Sequence, residues 1–207
     1  MPLPNWLDWV RRLQSIAQAG KTYNNDVYDQ ERYDHVRQIA AEIGEAYTDK
    51  SAEKIEYLYK HETGYATPKV DVRGVVFNDQ KEVLLVLERS SDKWTLPGGW
   101  ADIWDTPKQA VEREIREESG YDTQAIRLLA LYDRDNQGHP HYEFAVYKLY
   151  FLCELQGGTA ETSIETSDVA FFAENALPPI DEGRVLKSQL HKFFQMMRDD
   201  VQITDFD

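Results

Sequence analysis

At 207 residues, 42% of them hydrophobic, the chain is long enough for one domain with an adjunct, or two small domains, around a sizeable core. Its 23 basic and 37 acidic residues give a net charge of −14, which disfavours extended, charge-driven binding to nucleic acid while leaving a short RNA end open. The single cysteine, Cys153, excludes an intrachain disulfide framework, and no apolar run reaches the roughly 18 residues of a membrane span. The opening MPLPNWLDWVRRL lacks the basic start and apolar centre of a secretion signal, so the expected location is cytoplasmic.

Residues 1–65 read as a helical N-terminal domain. Asn5 is placed to cap a first helix carrying Trp6, Val10, Leu13 and Ala17 and ending at Gly20. A second helix is expected after Asp29, with Tyr33, Val36, Ile39, Ala40, Ile43 and Tyr47 at amphipathic spacing. Ser51 opens a short third helix through Ile55, Leu58 and Tyr59, ending near Gly64. The aromatics Trp6, Trp9, Tyr23, Tyr28 and Tyr33 fit core and dimer packing better than a base-stacking surface, and a homodimer is expected.

Pro68 marks a change of character, and residues 66–207 read as a second, α/β domain. Lys69–Phe77 alternates as a strand, and Asn78-Asp79-Gln80 turns into a second strand over Glu82–Leu87, predicting a hairpin. Arg73 lies inside the first strand, where a phosphate contact and a structural salt bridge are both open readings. Leu96-Pro97-Gly98-Gly99 then forms a turn at which backbone can approach a ligand closely. Trp94, Trp100 and Trp104 surround it, as packing residues or as a surface for a base.

Thr106, Pro107 and Gln109 make an N-cap, N1 proline and capping box for a helix that Gly120 stops. With Glu114 at zero and about 100° per residue, Glu117 lies at about −60° and Glu118 at about +40°, so three carboxylates share one face. A charged run is usually a solvated face. Here Ala110, Val111 and Ile115 lie on or beside the same face, so packing them draws the carboxylates toward the core. At about 5 Å and an effective dielectric of about 20, each like-charge pair repels by roughly 3 kcal/mol. A hard divalent cation, Mg²⁺ or Mn²⁺, would offset that, as would protonation of one glutamate.

Strands follow at Ala125–Tyr132, Tyr142–Leu155 and Val169–Ala173, then a closing helix near Arg184–Arg198. The loop DRDNQGHPH at 133–141 suits a substrate-facing role, and His139-x-His141 is a weak metal signal.

The segment from Gly99 to Tyr121 resembles the signature of the Nudix hydrolases, G-x5-E-x7-R-E-U-x-E-E-x-G-U, through Gly99, Arg113, Glu114, Ile115, Glu117, Glu118, Gly120 and, loosely, Tyr121. Asp105 stands where that signature has its first glutamate, which costs one methylene of reach toward Arg113. The helical start, with YDQERY at 28–33, resembles the N-terminal extension of a subgroup that includes CDP-choline pyrophosphatase. The resemblance implies a Nudix-type α/β/α sandwich with a mixed sheet behind a small helical domain. It further implies hydrolysis of the diphosphate bridge in a nucleoside diphosphate linked to X, of CDP-choline or ADP-ribose type. Glu114, Glu117, Glu118 and the Gly99 carbonyl would be the metal ligands, and Arg113 would orient the glutamates. Arg73, Trp94 and Glu143 are substrate-side candidates, and Glu143, Glu161 and Glu165 are candidates for a base from another loop. RNA-end processing and a non-catalytic nucleotide sensor are the competing functions.

Overall fold

The computed structural model describes residues 4–207; the first three residues of the expected helical domain lie outside the described residues. The chain up to Pro68, together with His141–Ala145, makes one compact unit, and Lys69–Pro140 with Val146–Asp207 makes another. No helix among the described residues is long and apolar enough to cross a membrane.

The first unit holds α1 (Asn5–Tyr23), α2 (Val27–Tyr47) and α3 (Ala52–Lys60). Pro4 rather than Asn5 precedes α1, and α1 runs through Gly20. That glycine acts by its size, since a Cβ there would collide with the Tyr33 ring of α2. Asp26, not Asp29, caps α2 by accepting from the Tyr28 and Asp29 amides, whereas Asp29 pairs with Arg32. Ser51 caps α3 as expected. Val10, Ala40, Ala41, Ile55 and Tyr59 form the core, with Phe144 packed against it. Arg11 pins the 141–145 segment to this unit, donating to the Tyr142, Glu143 and Phe144 carbonyls.

In the second unit a mixed sheet runs β1 (Lys69–Val76), β5 (Val146–Gly158), β4 (Tyr121–Asp133), β7 (Asp205–Phe206) in spatial order; β1 is parallel to β5, and β4 antiparallel to it. A second, antiparallel sheet has the order β3 (Lys93–Thr95), β2 (Val83–Glu88), β6 (Thr166–Phe172). The helix α4 (Pro107–Ser119) covers one core through Ala110, Val111 and Ile115, and α5 (Lys187–Arg198) covers the other through Leu190, Phe193 and Phe194. The fold is thus the α/β/α sandwich with a mixed sheet. The expected hairpin is reduced to its turn: Asn78 N bonds to Glu82 O at 3.0 Å beside the antiparallel Phe77–Val83 bridge, but β1 and β2 then enter different sheets. Apolar alternation identifies a strand but not its partner, and β1 finds better cover beside β5. Strand β5 begins at Val146 instead of Tyr142 because the residues before it pack with the helices.

The parallel alternation of β1 puts Val72, Gly74 and Val76 toward α4, where a Cβ on Gly74 would run into Ile115. Asp71, Arg73 and Val75 point the other way.

Behind that second face His139 is buried, with Nδ1 donating to the Glu182 carbonyl at 2.7 Å and Nε2 3.3 Å from Gln189 Nε2. Gln189 Oε1 is itself occupied by Tyr150 Oη and the Leu186 amide, so its amide nitrogen faces the ring as donor. Only a neutral imidazole satisfies both partners. Burial, with Lys148 and Arg134 nearby, pushes the His139 pKa down to about 4. The unfolded chain therefore takes up this proton first, and stability present above pH 6.5 is lost as pH falls toward 4. His139→Gln is expected to flatten the acid limb of the stability curve by on the order of 3 kcal/mol, read from urea unfolding of both proteins at pH 4.5 and 7.

Candidate active site

The site is built on the Leu96–Gly99 turn, which is laced to β1 by Val72 N to Gly99 O and Gly74 N to Pro97 O, both 2.9 Å. Gly98 has φ of 140°, and a Cβ there would collide with the Val72 carbonyl. Gly99 is the cradle of the site: a Cβ on it would lie 3.0 Å from Glu114 Oε2.

Helix α4 enters with the full capping box, Thr106 Oγ1 accepting from Gln109 N and Gln109 Oε1 accepting from Thr106 N, and ends at Gly120 in the left-handed region. Its three glutamates differ. Glu118 is 4% exposed and accepts from Gly98 N at 2.8 Å, whereas the Glu117 side chain is 60% exposed. The wheel accounts for this: Glu118 sits within the stripe of Val111 and Ile115, and Glu117 at its edge. Burial pushes Glu118 up to about 7, with Glu88 and Glu114 adding to the rise and Arg73 and the Gly98 amide opposing it. Burial likewise raises Glu114, against the pull of Arg113.

Arg113 answers from the solvent side. Its Nη1 lies 2.9 Å from Glu114 Oε1 and 3.0 Å from Glu117 Oε2, its Nε 2.9 Å from Asp105 Oδ2, and its Nη2 3.1 Å from Asp102 Oδ2. Asp105 thus reaches Arg113 without the missing methylene, and Asp102 supplies a second carboxylate from the same loop. Among the described residues no three His, Cys, Asp or Glu side chains are gathered as around a metal ion. The reason is visible in the geometry: Arg113 Nη1 stands between Glu114 and Glu117, and Glu118 is turned onto Gly98. The donor chemistry nevertheless fits a hard divalent cation, since carboxylates raised by burial face a glycine whose carbonyl keeps a second lone pair beyond its bond to Val72 N.

Comparison with known proteins identifies the family. A family model described as NUDIX domain matches residues 67–193, and one described as "UDP-X-like, N-terminal oligomerisation domain" matches residues 4–59. The chain belongs to the Nudix hydrolase family. It is 43% identical over 202 residues to the Bacillus subtilis protein named "Putative ADP-ribose pyrophosphatase YjhB", covering 98% of this chain and 97% of that one. It is 30% identical to the ADP-ribose pyrophosphatase of Methanocaldococcus jannaschii, over 72% of this chain and 87% of the relative. Among solved structures, a UDP-X diphosphatase aligns over the whole of both chains with a TM-score of 0.63 and 28% identity. With these relatives the chain is an enzyme, a Nudix pyrophosphohydrolase acting on phosphoanhydride bonds, and its family implies use of a divalent metal.

Other expected residues of this Nudix site lie elsewhere. Arg73 is 4% exposed, with its guanidinium on Asp71 and the Leu96 carbonyl, which is the salt-bridge reading of the two left open. Trp94 packs edge-on against Phe172 with ring centroids 4.7 Å apart, which is the packing alternative rather than the substrate-side one. Trp100 and Trp104 are exposed. Glu143 belongs to the helical unit, where it pairs with Lys50. Glu161 and Glu165 are exposed on the loop that bonds to the end of α4 through Glu161 N to Ser119 O and Thr166 Oγ1 to Glu118 O. His139 and His141 are engaged separately, the first as above and the second against Trp6.

Sequence reasoning missed Glu88, 1% exposed on β2 and 3.1 Å from Arg184 Nη1, together with Asp71 and Lys148. The signal for Lys148 was available: like Arg73, it is a lone cation in an apolar strand.

The turn geometry yields a direct test. Gly98→Ala is expected to destabilise the protein by at least about 2 kcal/mol in chemical unfolding, because both φ and space forbid a side chain. Gly138→Ala, at φ of 89° but with open space around it, should cost only about 1 kcal/mol.

Proposed function

We propose that the chain hydrolyses the diphosphate bridge of a nucleoside diphosphate linked to a second group, releasing a nucleoside monophosphate and the phosphorylated second group. The observation that carries this reading is a pair of carboxylates, buried Glu118 and partly buried Glu114, held against the Gly98-Gly99 turn. Glu114, Glu117, Glu118 and the Gly99 carbonyl would hold Mg²⁺ or Mn²⁺. When bound, such a cation neutralises phosphate charge and lowers the pKa of water.

The protein's own part is orientation and proton transfer. Arg113 orients Glu114 and Glu117 and is tethered to the loop by Asp102 and Asp105, so it would be able to yield the glutamates to a cation without leaving the site. One of the glutamates takes the proton of the attacking water, with Glu161 or Glu165 as the alternative base on the loop that ends α4. Trp100 and Trp104 follow Gly99 and precede Asp105 in the chain and are exposed, which supports them as candidates to stack on a base.

ADP-ribose is the first substrate of choice, supported by the names of the relatives at 43% and 30% identity. A UDP-linked compound follows from the match of the N-terminal extension, and CDP-choline from the resemblance of the helical start. A panel of these three with Mg²⁺ and Mn²⁺, scored for products beside end-labelled RNA, is expected to give two monophosphates from ADP-ribose and no shortened or end-modified RNA. Glu118→Gln should lower kcat by roughly three orders of magnitude while the far-ultraviolet circular dichroism stays unchanged. Near-normal turnover by that variant would remove Glu118 from the site, and ligand binding without turnover across the panel would favour a sensor.

We further infer a homodimer formed through the helical unit. Trp9, Ile16 and Tyr23 recur every seven residues along α1 and are 48%, 56% and 68% exposed, an apolar stripe suited to a second copy of this chain. Light scattering should give twice the chain mass, and Trp9→Ala with Ile16→Ala should halve it; a monomeric wild-type protein at assay concentration would overturn the inference.

A further inference from the structure

Asp71, Arg73 and Lys148 form a row of three ions that are 3%, 4% and 2% exposed. They meet because β1 and β5 run parallel with Asp71 opposite Lys148. Asp71 Oδ1 accepts from Arg73 Nε at 3.0 Å and lies 2.9 Å from Nη2, while its Oδ2 takes Lys148 Nζ. Arg73 Nη1 then donates to the Leu96 carbonyl at 3.1 Å, at the head of the turn that carries Gly98 and Gly99.

Stability does not account for such a row. Desolvating three charges costs several kcal/mol per ion, and apolar side chains of similar volume usually serve a core as well or better. The surroundings would suit that replacement, since Val75 and Tyr150 on the same strands are fully buried. The row is also unbalanced, two cations against one anion. Its surplus positive charge is answered by carboxylates of the site: Arg73 is felt electrostatically by Glu118, Glu114 and Glu88.

We propose that Lys148, Asp71 and Arg73 are positioning residues of the hydrolase: Lys148 and Asp71 fix the Arg73 guanidinium, and Arg73 fixes the Leu96 carbonyl and thereby the turn against which Glu114 and Glu118 are set. The assignment rests on the hydrolase reading for its catalytic consequence. Its structural half, the fixing of the turn, stands without any substrate. In this role no group in the row touches the reacting atoms, and it accounts for three buried ions that core packing does not explain.

Two variants test it on the full chain. Arg73→Lys keeps the charge and loses the forked contact; Lys148→Met leaves Asp71 and Arg73 paired but unanchored, and keeps the falsifying power should Arg73→Lys fail to fold. Each is expected to lower kcat roughly a hundredfold, the cost of a displacement of about 1 Å at a reacting centre. KM should stay within about threefold. Amide hydrogen exchange without substrate or metal should accelerate at Val72, Gly74 and Gly98, whose amides bond to the turn or to Glu118, and not along the pairing of β4 with β5. The melting temperature of Lys148→Met should match or exceed that of the wild type. Unchanged kcat with unchanged exchange at those three amides would overturn the proposal. A rise in KM at constant kcat would overturn it in favour of direct phosphate binding by Arg73. Uniform acceleration across β4 and β5 would reduce the row to core support. If the wild-type protein hydrolyses nothing in the panel, the hydrolase reading falls, and exchange alone still decides whether the row fixes the turn.

Discussion

The structure depends on holding carboxylates close together beside a backbone turn. Glu114 and Glu118 press against Gly99 and Gly98, and Glu88 lies near enough to raise Glu118. Two arginines oppose this concentration of negative charge from opposite sides. Arg73 lies inside, fastened by Asp71 and Lys148; Arg113 lies outside, sharing itself among Glu114, Glu117, Asp105 and Asp102. In a low-dielectric setting a carboxylate left without such partners takes up a proton. The turn glycines, the capping box of α4 and the loop from Trp100 to Asp105 are the means by which the backbone keeps those charges in place.

The inner and outer arginines differ in freedom, and this suits different tasks. Arg73 has its donors on one carboxylate and one carbonyl within the core, so it defines a position. Arg113 is partly exposed and holds four carboxylates at once, so it is able to give up some of them while keeping others. On the proposed function, a cation entering between Glu114 and Glu117 would need a partner of the second kind, and a turn held still would need one of the first.

Legibility followed the range of the interaction. The α4 capping box, its stop at Gly120 and the burial of Ala110, Val111 and Ile115 were readable because each depends on residues three or four apart. The same periodicity held the information that Glu118 is buried and Glu117 is not, since their wheel positions differ by about 100°. Grouping all three as one face discarded it. The β1–β2 hairpin was misread because alternation names a strand but not its neighbour, and Gly20 because a missing side chain serves equally to end a helix or to admit a facing ring. Arg73 was noticed as a charge in an apolar strand, but the choice between phosphate and ion pair turned on Asp71 and Lys148, 77 residues apart.

By itself the sequence determined the local chemistry: two turn glycines at which backbone can approach a ligand, a capped helix with glutamates at one side, the arginine beside them and an α/β class with helices ahead of it. These follow from backbone sterics and helical spacing, which act within a few residues. Only the tertiary structure decided that Arg73 pairs with Asp71 inside the core, that Trp94 packs against Phe172 at the core's edge, and that residues 141–145 pack with the helices. Those outcomes depend on which strands and helices come together, and solvent is excluded from a charge by the whole assembled core rather than by its neighbours in the chain.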